Sequence, residues 1–372
     1  MSSATLFGFS SWLAAQMFAM LRPIAPAPMQ PLLGAQAQSA TAYLLVGTFV
    51  FATGLVNAIM LIWWERKLLG RFMDRRGAMH VGYAGLLQNF ADGLKLFRKQ
   101  PLTPREADPL GYWLAPTAYL ATSLMIVGFL PVSTGWVPGV APLSLLMALA
   151  LFSFAPFFIF VGAWSSNNKY SLIGGMRTAA QLVAYEVPLL FAVVSVVLLT
   201  GSFDLTTIVN TQIKEGWFAF PLLLGLVVFF VAMLAEVERI PFDLPEAEAE
   251  LVEGWNTEYG GMLFAMTTLA DYVRGLVGSY LVVLLFLGGW WMPAGQFTNV
   301  VNGFPLAGIL WFQVKVYLVF AVFVWVRASL PRVRTDQLLQ IGWKRMVPLS
   351  LANVLLAAVL VVTGWWPLPK MF

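Results

Sequence analysis

The sequence predicts an all-α integral membrane protein of about eight transmembrane helices, with amphipathic helices in the loops on its cytoplasmic side. Three observations predict it. Hydrophobic residues make up 59% of the chain and charged residues 11%, where a soluble domain carries about a quarter charged residues. Apolar stretches recur at 41–63, 112–134, 143–163, 177–200, 217–236, 262–290, 306–329 and 346–366, each near the ~20 residues that cross a bilayer as a helix. The basic residues are also one-sided. Of 22 Lys and Arg, only Arg22, Lys214 and Lys370 lie on one side, and Arg274 and Lys315 fall inside apolar stretches. The others sit in or beside the loops after the first, third, fifth and seventh stretches, so the positive-inside rule puts those loops in the cytoplasm and both termini outside.

Composition bounds the chemistry as well. The chain has no Cys and one His, His80, which excludes an iron–sulfur cluster on this chain and haem ligation by paired histidines. No metal site is expected. Electrons, if the protein serves a redox reaction, travel in partner subunits. The net charge of +4 sets orientation in the membrane and does not point to nucleic acid. Residues 1–20 lack a basic n-region, so no cleavable signal peptide is expected.

Residues 1–40 read as an interfacial segment followed by a linker at Pro23, Pro26, Pro28 and Pro31, and 41–372 as one polytopic membrane domain. The first loop alternates apolar and basic residues: Leu68, Leu69, Phe72 and Met73 among Arg66, Lys67, Arg71, Arg75 and Arg76, then Leu86, Leu87, Phe90, Ala91, Leu94 and Phe97 beside Asp92, Lys95, Arg98 and Lys99. That spacing suits helices lying at headgroup level, or walling the mouth of a chamber for a lipid-like substrate. His80 is a lone loop histidine, more simply incidental than titrating in function. The third loop, Trp164 to Gly175, is uncharged apart from Lys169. Glu186 stands mid-stretch in the fourth span, where a carboxylate costs roughly 2.5–3.5 kcal/mol unless protonated or partnered, and is therefore a functional candidate. Apart from Asp271 and Arg274 in the sixth, the second, sixth and eighth stretches offer little beyond hydrophobicity.

The acidic segment from Glu236 to Gly261 is the densest chemistry in the chain. It holds Glu236, Glu238, Asp243, Glu246, Glu248, Glu250, Glu253 and Glu258 against one base, Arg239, and ends on Tyr259-Gly260-Gly261. Asp243 and Pro245 read as the start of a short helix, which puts Glu246, Glu250 and Glu253 on one face. Like charges at that spacing repel, and beside a low-dielectric slab some are expected to keep their protons, which is what a proton relay needs. The plainer reading is a solvated loop, but Pro241-Phe242 and Leu244-Pro245 break the charge run with apolar and turn-setting residues. Beyond it, Asp271 and Arg274 stand three residues apart on one helix, so a structural ion pair is an alternative to a functional role there. Lys315 has no acid on its own stretch and needs a partner from another helix, with Glu186 or the acidic segment as candidates.

The segment Glu236-Val237-Glu238-Arg239-Ile240-Pro241-Phe242-Asp243-Leu244-Pro245-Glu246-Ala247-Glu248-Ala249-Glu250-Leu251-Val252-Glu253-Gly254, running on to Glu258-Tyr259, resembles the signature of the quinone-chamber membrane subunit of respiratory complex I. Glu65-Arg66-Lys67-Leu68-Leu69-Gly70 and Gly85 to Phe97 resemble that family's quinone-access loop, with Gly77-Ala78-Met79 where the family often has Gly-Pro-Asn. Asp271 stands where the family more often has Glu. The likeness extends over roughly residues 41–366.

The resemblance implies a quinone substrate and a hetero-oligomeric assembly in an energy-transducing membrane, expected to be a prokaryotic inner membrane. Iron–sulfur clusters would lie in soluble partner subunits, and antiporter-like membrane subunits would pump protons. It assigns Arg66, Leu86, Phe90, Ala91, Asp92, Lys95, Phe242, Asp243, Glu258 and Tyr259 to the quinone chamber and its access. Glu186, Glu236, Glu246, Glu248, Glu250, Glu253, Asp271 and Arg239 form the relay and coupling set, and Glu250→Gln is expected to lower coupled activity without loss of assembly. Two other readings stay open: an ion-coupling anchor subunit of a membrane-bound hydrogenase, and a stand-alone ion-coupled transporter using the same buried charges. A purely structural anchor needs none of the interior charges.

Overall fold

The structure is a computed structural model that describes residues 10, 11, 13–16, 35–133, 142–244, 248–292 and 305–364. The interfacial segment and Pro-rich linker expected over 1–40 lie largely outside the described residues. Every regular element among the described residues is helical: α1 (Ala35–Phe72), α2 (Gln88–Arg98), α3 (Pro109–Val127), α4 (Ser144–Phe152), α5 (Ala155–Ser165), α6 (Lys169–Thr200), α7 (Leu205–Glu215), α8 (Leu223–Glu236), α9 (Met262–Phe286), α10 (Pro305–Ser329), α11 (Thr335–Gln340) and α12 (Val347–Val362).

Seven continuous helical segments among the described residues are long and apolar enough to cross a membrane, with α4–α5 and α11–α12 each counting as one, and α8 is a shorter apolar helix. All eight expected spans are therefore helices. With 14 residues, α8 is about 21 Å long and is extended at its start by hydrogen-bonded turns, Leu222 N–H donating to Phe218 O over 3.0 Å.

Local chemistry sets the ends. The Asp108 side chain accepts from Leu110 N–H ahead of Pro109, and the Asn168 side chain accepts from Tyr170 N–H. Both satisfy first-turn donors that have no partner within the helix. α6 stops at Gly201, whose φ of 66° is a left-handed conformation open to glycine at little cost. Asp204 caps α7 through Thr206 and Thr207, and these bonds hold its carboxyl below the usual range although burial pushes the other way.

Prolines inside a span or at a break remove the N–H that would serve the carbonyl four residues earlier. Pro188 interrupts α6, and Pro156 follows the break at Ser153-Phe154 that divides α4 from α5. A π-helical turn, Ile341–Met346, joins α11 to α12. Its Gly342 packs on the Ala184 carbonyl that Pro188 leaves unserved.

α9 is the central helix, buried along most of its length and packed on α1, α3, α8 and α10. α6 packs on α5, α8 and α12. The loops fall at two ends. At one, here the near end, Asp108 N–H donates to Ser165 O (3.0 Å) and Val333 N–H to Pro241 O (3.1 Å), joining the first loop to the third and the seventh to the acidic segment. At the far end, Leu145 N–H donates to Phe203 O (3.1 Å) and the Gln212 amide to Leu284 O (2.7 Å). The loops that sequence reasoning grouped on one side do meet. α12 also carries more than hydrophobicity, since its buried Asn353 donates to Ser195 Oγ on α6 over 2.6 Å.

Candidate functional site

A row of charged and hydroxyl side chains runs from the near end into the membrane interior around α9. It begins at Glu65, the last acid of α1, which is buried and ion-paired to Arg327 of α10 and, over 3.7 Å, to Arg239. The Arg239 guanidinium lies 4.4 Å over the Tyr272 ring. One residue before Tyr272, Asp271 accepts a 2.7 Å hydrogen bond from the Tyr119 hydroxyl of α3. Tyr119 also lies 5.7 Å beneath the guanidinium of Arg274, which pairs with Glu236 over 3.0 Å. Both members of that pair are almost wholly buried, at 2% and 4% side-chain exposure. Glu236 and Glu186 then line one small cavity of about 10 Å³ with Leu149, Phe152, Ser153 and Pro156, and the Ser153 hydroxyl bonds Glu186.

The fold explains why Arg274 tolerates this depth. Burying a guanidinium costs several kcal/mol unless its charge and its donors are both met. Glu236 meets the charge. A second donor reaches the Phe152 carbonyl over 3.1 Å, the carbonyl that lacks a helical partner because residue 156 is proline. The Phe152 ring lies 3.8 Å from the guanidinium and adds cation–π attraction.

The acidic segment turns out differently from the single acidic helix expected. Phe242 is buried against Tyr185, their rings 5.2 Å apart, and Asp243 pairs with Arg332 over 3.3 Å. Burial pushes the Asp243 carboxyl above its ordinary range, with Arg332, Arg327 and Arg239 opposing. Glu246 lies outside the described residues, and of Glu248 only the backbone is described. The helical turn Glu248–Leu251 ends at once, because Val252 is left-handed (φ 67°) and Glu253 has left the helical region (φ −141°). Glu250 and Glu253 therefore do not share a helix face.

The cause is a close crossing. Gly254 passes α6 at Gly174, where a Cβ would meet the Gly254 backbone at 2.8 Å, and Trp255 is fully buried behind it. A continued helix has no room there. Glu250 turns outward, more than half exposed, to Arg177 (2.7 Å). Glu258 accepts from the Asn168 amide through its carboxylate and, over 2.6 Å, from the Tyr112 hydroxyl through its carbonyl. Tyr259 stacks on Tyr112 at 4.6 Å, and burial raises its hydroxyl above the ordinary phenol range.

Two further expectations are corrected. Arg274 pairs across helices with Glu236, and Asp271 is served by Tyr119. Lys315 meets neither Glu186 nor the acidic segment. Its ammonium donates at the far end to the carbonyls of Leu287 (2.7 Å), Gly289 (2.9 Å) and Trp291 (2.7 Å), capping the end of α9. Helix position decided this, since Lys315 lies on the far half of α10 from the acids.

The loop residues gather on α2. Arg66 pairs with Asp92 over 2.7 Å, and the Asn89 amide donates to Ile59 O over 2.7 Å, tying α2 to the end of α1. No residue of α2 is buried. Phe90, Leu94 and Phe97 form an exposed apolar strip, with Lys95 exposed beside them and Leu86 and Ala91 half-buried. His80 is exposed.

Six members of the row escaped sequence reasoning as site residues: Glu65, Arg327, Tyr272, Tyr119, Arg274 and Ser153. Glu65 and Arg274 carried a signal, an acid ending a span and a base inside one. Tyr119 carried none, and for Ser153 the only cue was a polar residue three before a proline within an apolar stretch.

Residues 45–358 match the family described as NADH dehydrogenase. The H subunit of NADH-quinone oxidoreductase from Paramagnetospirillum magneticum is 42% identical over 314 residues, which cover 84% of this chain and 90% of that protein. The corresponding subunit of Dehalococcoides mccartyi strain CBDB1 is 41% identical, covering 83% of this chain and 84% of its own length, and that of Rhodospirillum centenum is 41% identical, covering 85% and 92%.

Proposed function

The chain belongs to the NADH dehydrogenase family, and from that premise we propose that it is the membrane subunit of a complex I-like oxidoreductase that links quinone reduction to proton translocation. The row from Glu65 to Glu186, buried at Glu65, Tyr119, Arg274 and Glu236, carries this reading. Structural anchoring does not require charges at that depth, and intramembrane ionisable residues usually mark ion or proton pathways.

In this reading the near end faces the cytoplasm and a soluble partner bearing iron–sulfur clusters. The exposed apolar strip of α2 guides the quinone tail, with Arg66 and Asp92 holding the helix in place. Phe242, Asp243, Glu258 and Tyr259 stand toward the quinone chamber. A unit of charge appearing about 6 Å from one of these groups changes its energy by about 3 kcal/mol at an effective dielectric of about 20. That is enough to move a proton. Arg239 and Arg327 share Glu65, so a change on Asp243 redistributes their pairing. Arg239, seated over the Tyr272 ring, then acts on the adjacent Asp271, Tyr119 and Arg274 connect Asp271 to Glu236, and Glu186 delivers the proton toward antiporter-like partners.

The test uses the native assembly, purified through a tag on this chain in mild detergent. Iron–sulfur signals together with inhibitor-sensitive quinone reduction are the expected result. Clusters with hydrogen evolution and no quinone reduction would move the chain to a hydrogenase, and a lone chain without clusters would leave an ion-coupled transporter.

A further inference from the structure

The break between α4 and α5 sets the Ser153 hydroxyl at a small cavity shared by buried Glu236 and half-buried Glu186. Ser153 Oγ lies within hydrogen-bonding reach of both Glu186 Oε1 and the Leu149 carbonyl, the latter at 3.1 Å. A serine hydroxyl has a single proton to donate and two lone pairs to accept with. The two contacts are therefore alternatives. When Glu186 is ionised, Ser153 donates to it. When Glu186 is protonated, the acid donates to Ser153 Oγ and the serine proton turns to Leu149 O. The cavity of about 10 Å³ that Ser153 shares with Glu186 and Glu236 is about the size of one water, with three polar groups on its wall.

We propose that Ser153 is the relay hydroxyl that joins Glu236 to Glu186 by way of one water in this cavity. The inference rests on the relay reading above. The transfer balances within the chain's own groups. A proton leaves the Glu236 carboxyl for the water, and the water passes one of its protons to Ser153 Oγ. Ser153 releases its own proton to the Glu186 carboxylate. Water and serine end as they began, one proton has moved, and the hydroxyl resets by turning to Leu149 O.

Pro156 makes this geometry available. An unbroken helix would bond the Phe152 carbonyl to residue 156 and close the gap in which Arg274, Glu236 and Ser153 converge. Ser153 is thus separated from its counterpart on an ordinary helix by a backbone defect that the sequence specifies.

The experiment compares Ser153→Ala, Ser153→Thr and Glu186→Gln in the intact assembly reconstituted into vesicles. It reads proton uptake or release at matched assembly level, and the infrared carboxyl band that Glu186→Gln removes. Ser153→Ala is expected to lower coupled proton transfer by about a hundredfold, the low end for a lost proton-transfer group, and to shift the Glu186 band. Ser153→Thr, which keeps the hydroxyl, is expected to restore both. Normal transfer in Ser153→Ala alongside loss in Glu186→Gln would overturn the Ser153 role and leave the relay standing. Normal transfer in Glu186→Gln would instead overturn the relay itself. A loss in Ser153→Ala that Thr fails to restore, with the Glu186 band unmoved, would mark a packing role and also overturn the proposal.

Discussion

Replacing Arg274 by Met keeps an unbranched side chain in place but removes the charge from the centre of the row. At 3.0 Å, the attraction to Glu236 is worth about 5 kcal/mol at an effective dielectric of about 20. Desolvation of both groups offsets much of that, so the net value of the pair is small. The cost of breaking it is not. With Arg274 gone, a carboxylate at 4% exposure has lost its counter-charge, a change that costs about 3–5 kcal/mol. The Phe152 carbonyl also loses its donor, because Pro156 has no N–H to offer, at about 1–3 kcal/mol for an unsatisfied buried group. The two penalties overlap and are not summed.

The assay is the half-life of the purified assembly at one elevated temperature, since large membrane assemblies unfold irreversibly. Arg274→Met is expected to shorten it by about a hundredfold, at roughly 1.4 kcal/mol per factor of ten. Adding Glu236→Gln removes the stranded charge, so the double variant is expected to recover most of the loss and leave only the carbonyl penalty. A single variant as durable as the parent would refute the reasoning. So would a double variant that decays like the single, which would mean that packing and not charge set the penalty.

Three further outcomes follow from the same geometry. Asp243 is held above its ordinary range by burial, so it favours the folded state when protonated; this contribution is complete below the unfolded value of about 4 and is lost as pH rises through the folded value. Asp243→Asn should therefore flatten the decline in thermal stability over that rise, and an unchanged pH profile would refute it. Lys315→Met strips three carbonyls of a charged donor, at roughly 1.5–3 kcal/mol per charged hydrogen bond, and should lower assembly stability while turnover per assembled complex holds; normal stability with lost pumping would contradict its role as a cap. Phe90→Ser with Leu94→Ser should raise the apparent KM for long-tailed quinones more than for short-tailed ones, and an equal effect on both would remove α2 from the access route.

The spans were legible because length and apolarity are local properties, and each of the eight stretches became a helix. Grouping of the loops was legible through charge, since the Arg and Lys residues that meet at the near end are numerous enough to reveal a side. Side-chain pairing was less so. Asp271 and Arg274 sit at a spacing that favours a pair, yet Glu236 from another helix takes the guanidinium, and nothing in α9 alone signals it. The acidic helix failed for a similar reason. Helical periodicity through Glu246, Glu250 and Glu253 is sound locally, but the crossing of Gly254 over Gly174 stops it at Val252. Lys315 shows the same limit, because its acceptors are main-chain carbonyls that carry no residue identity.

The defects in the helices and the charges within them are parts of one arrangement. A guanidinium in a membrane interior needs acceptors, and an intact helix gives them poorly, since each internal carbonyl already accepts one bond. Pro156 releases one at Phe152, and Arg274 takes it. At the far end, the turn that follows α9 leaves the carbonyls of Leu287, Gly289 and Trp291, and Lys315 takes them. The near end resolves its charge through side chains instead, with Glu65 between two arginines and Asp243 against Arg332. Fixed charge thus rests on backbone acceptors at two depths. The groups facing those cations differ in what they can do. Lys315 faces carbonyls and the Trp217 and Trp311 rings, none of which can take its proton, and stays a cap. Arg274 faces Glu236, which can gain or lose one beside a cavity that leads to Ser153 and Glu186. The same physical demand, an acceptor for a buried cation, therefore yields a static clamp just past the end of α9 and, at its middle, a group able to change its charge.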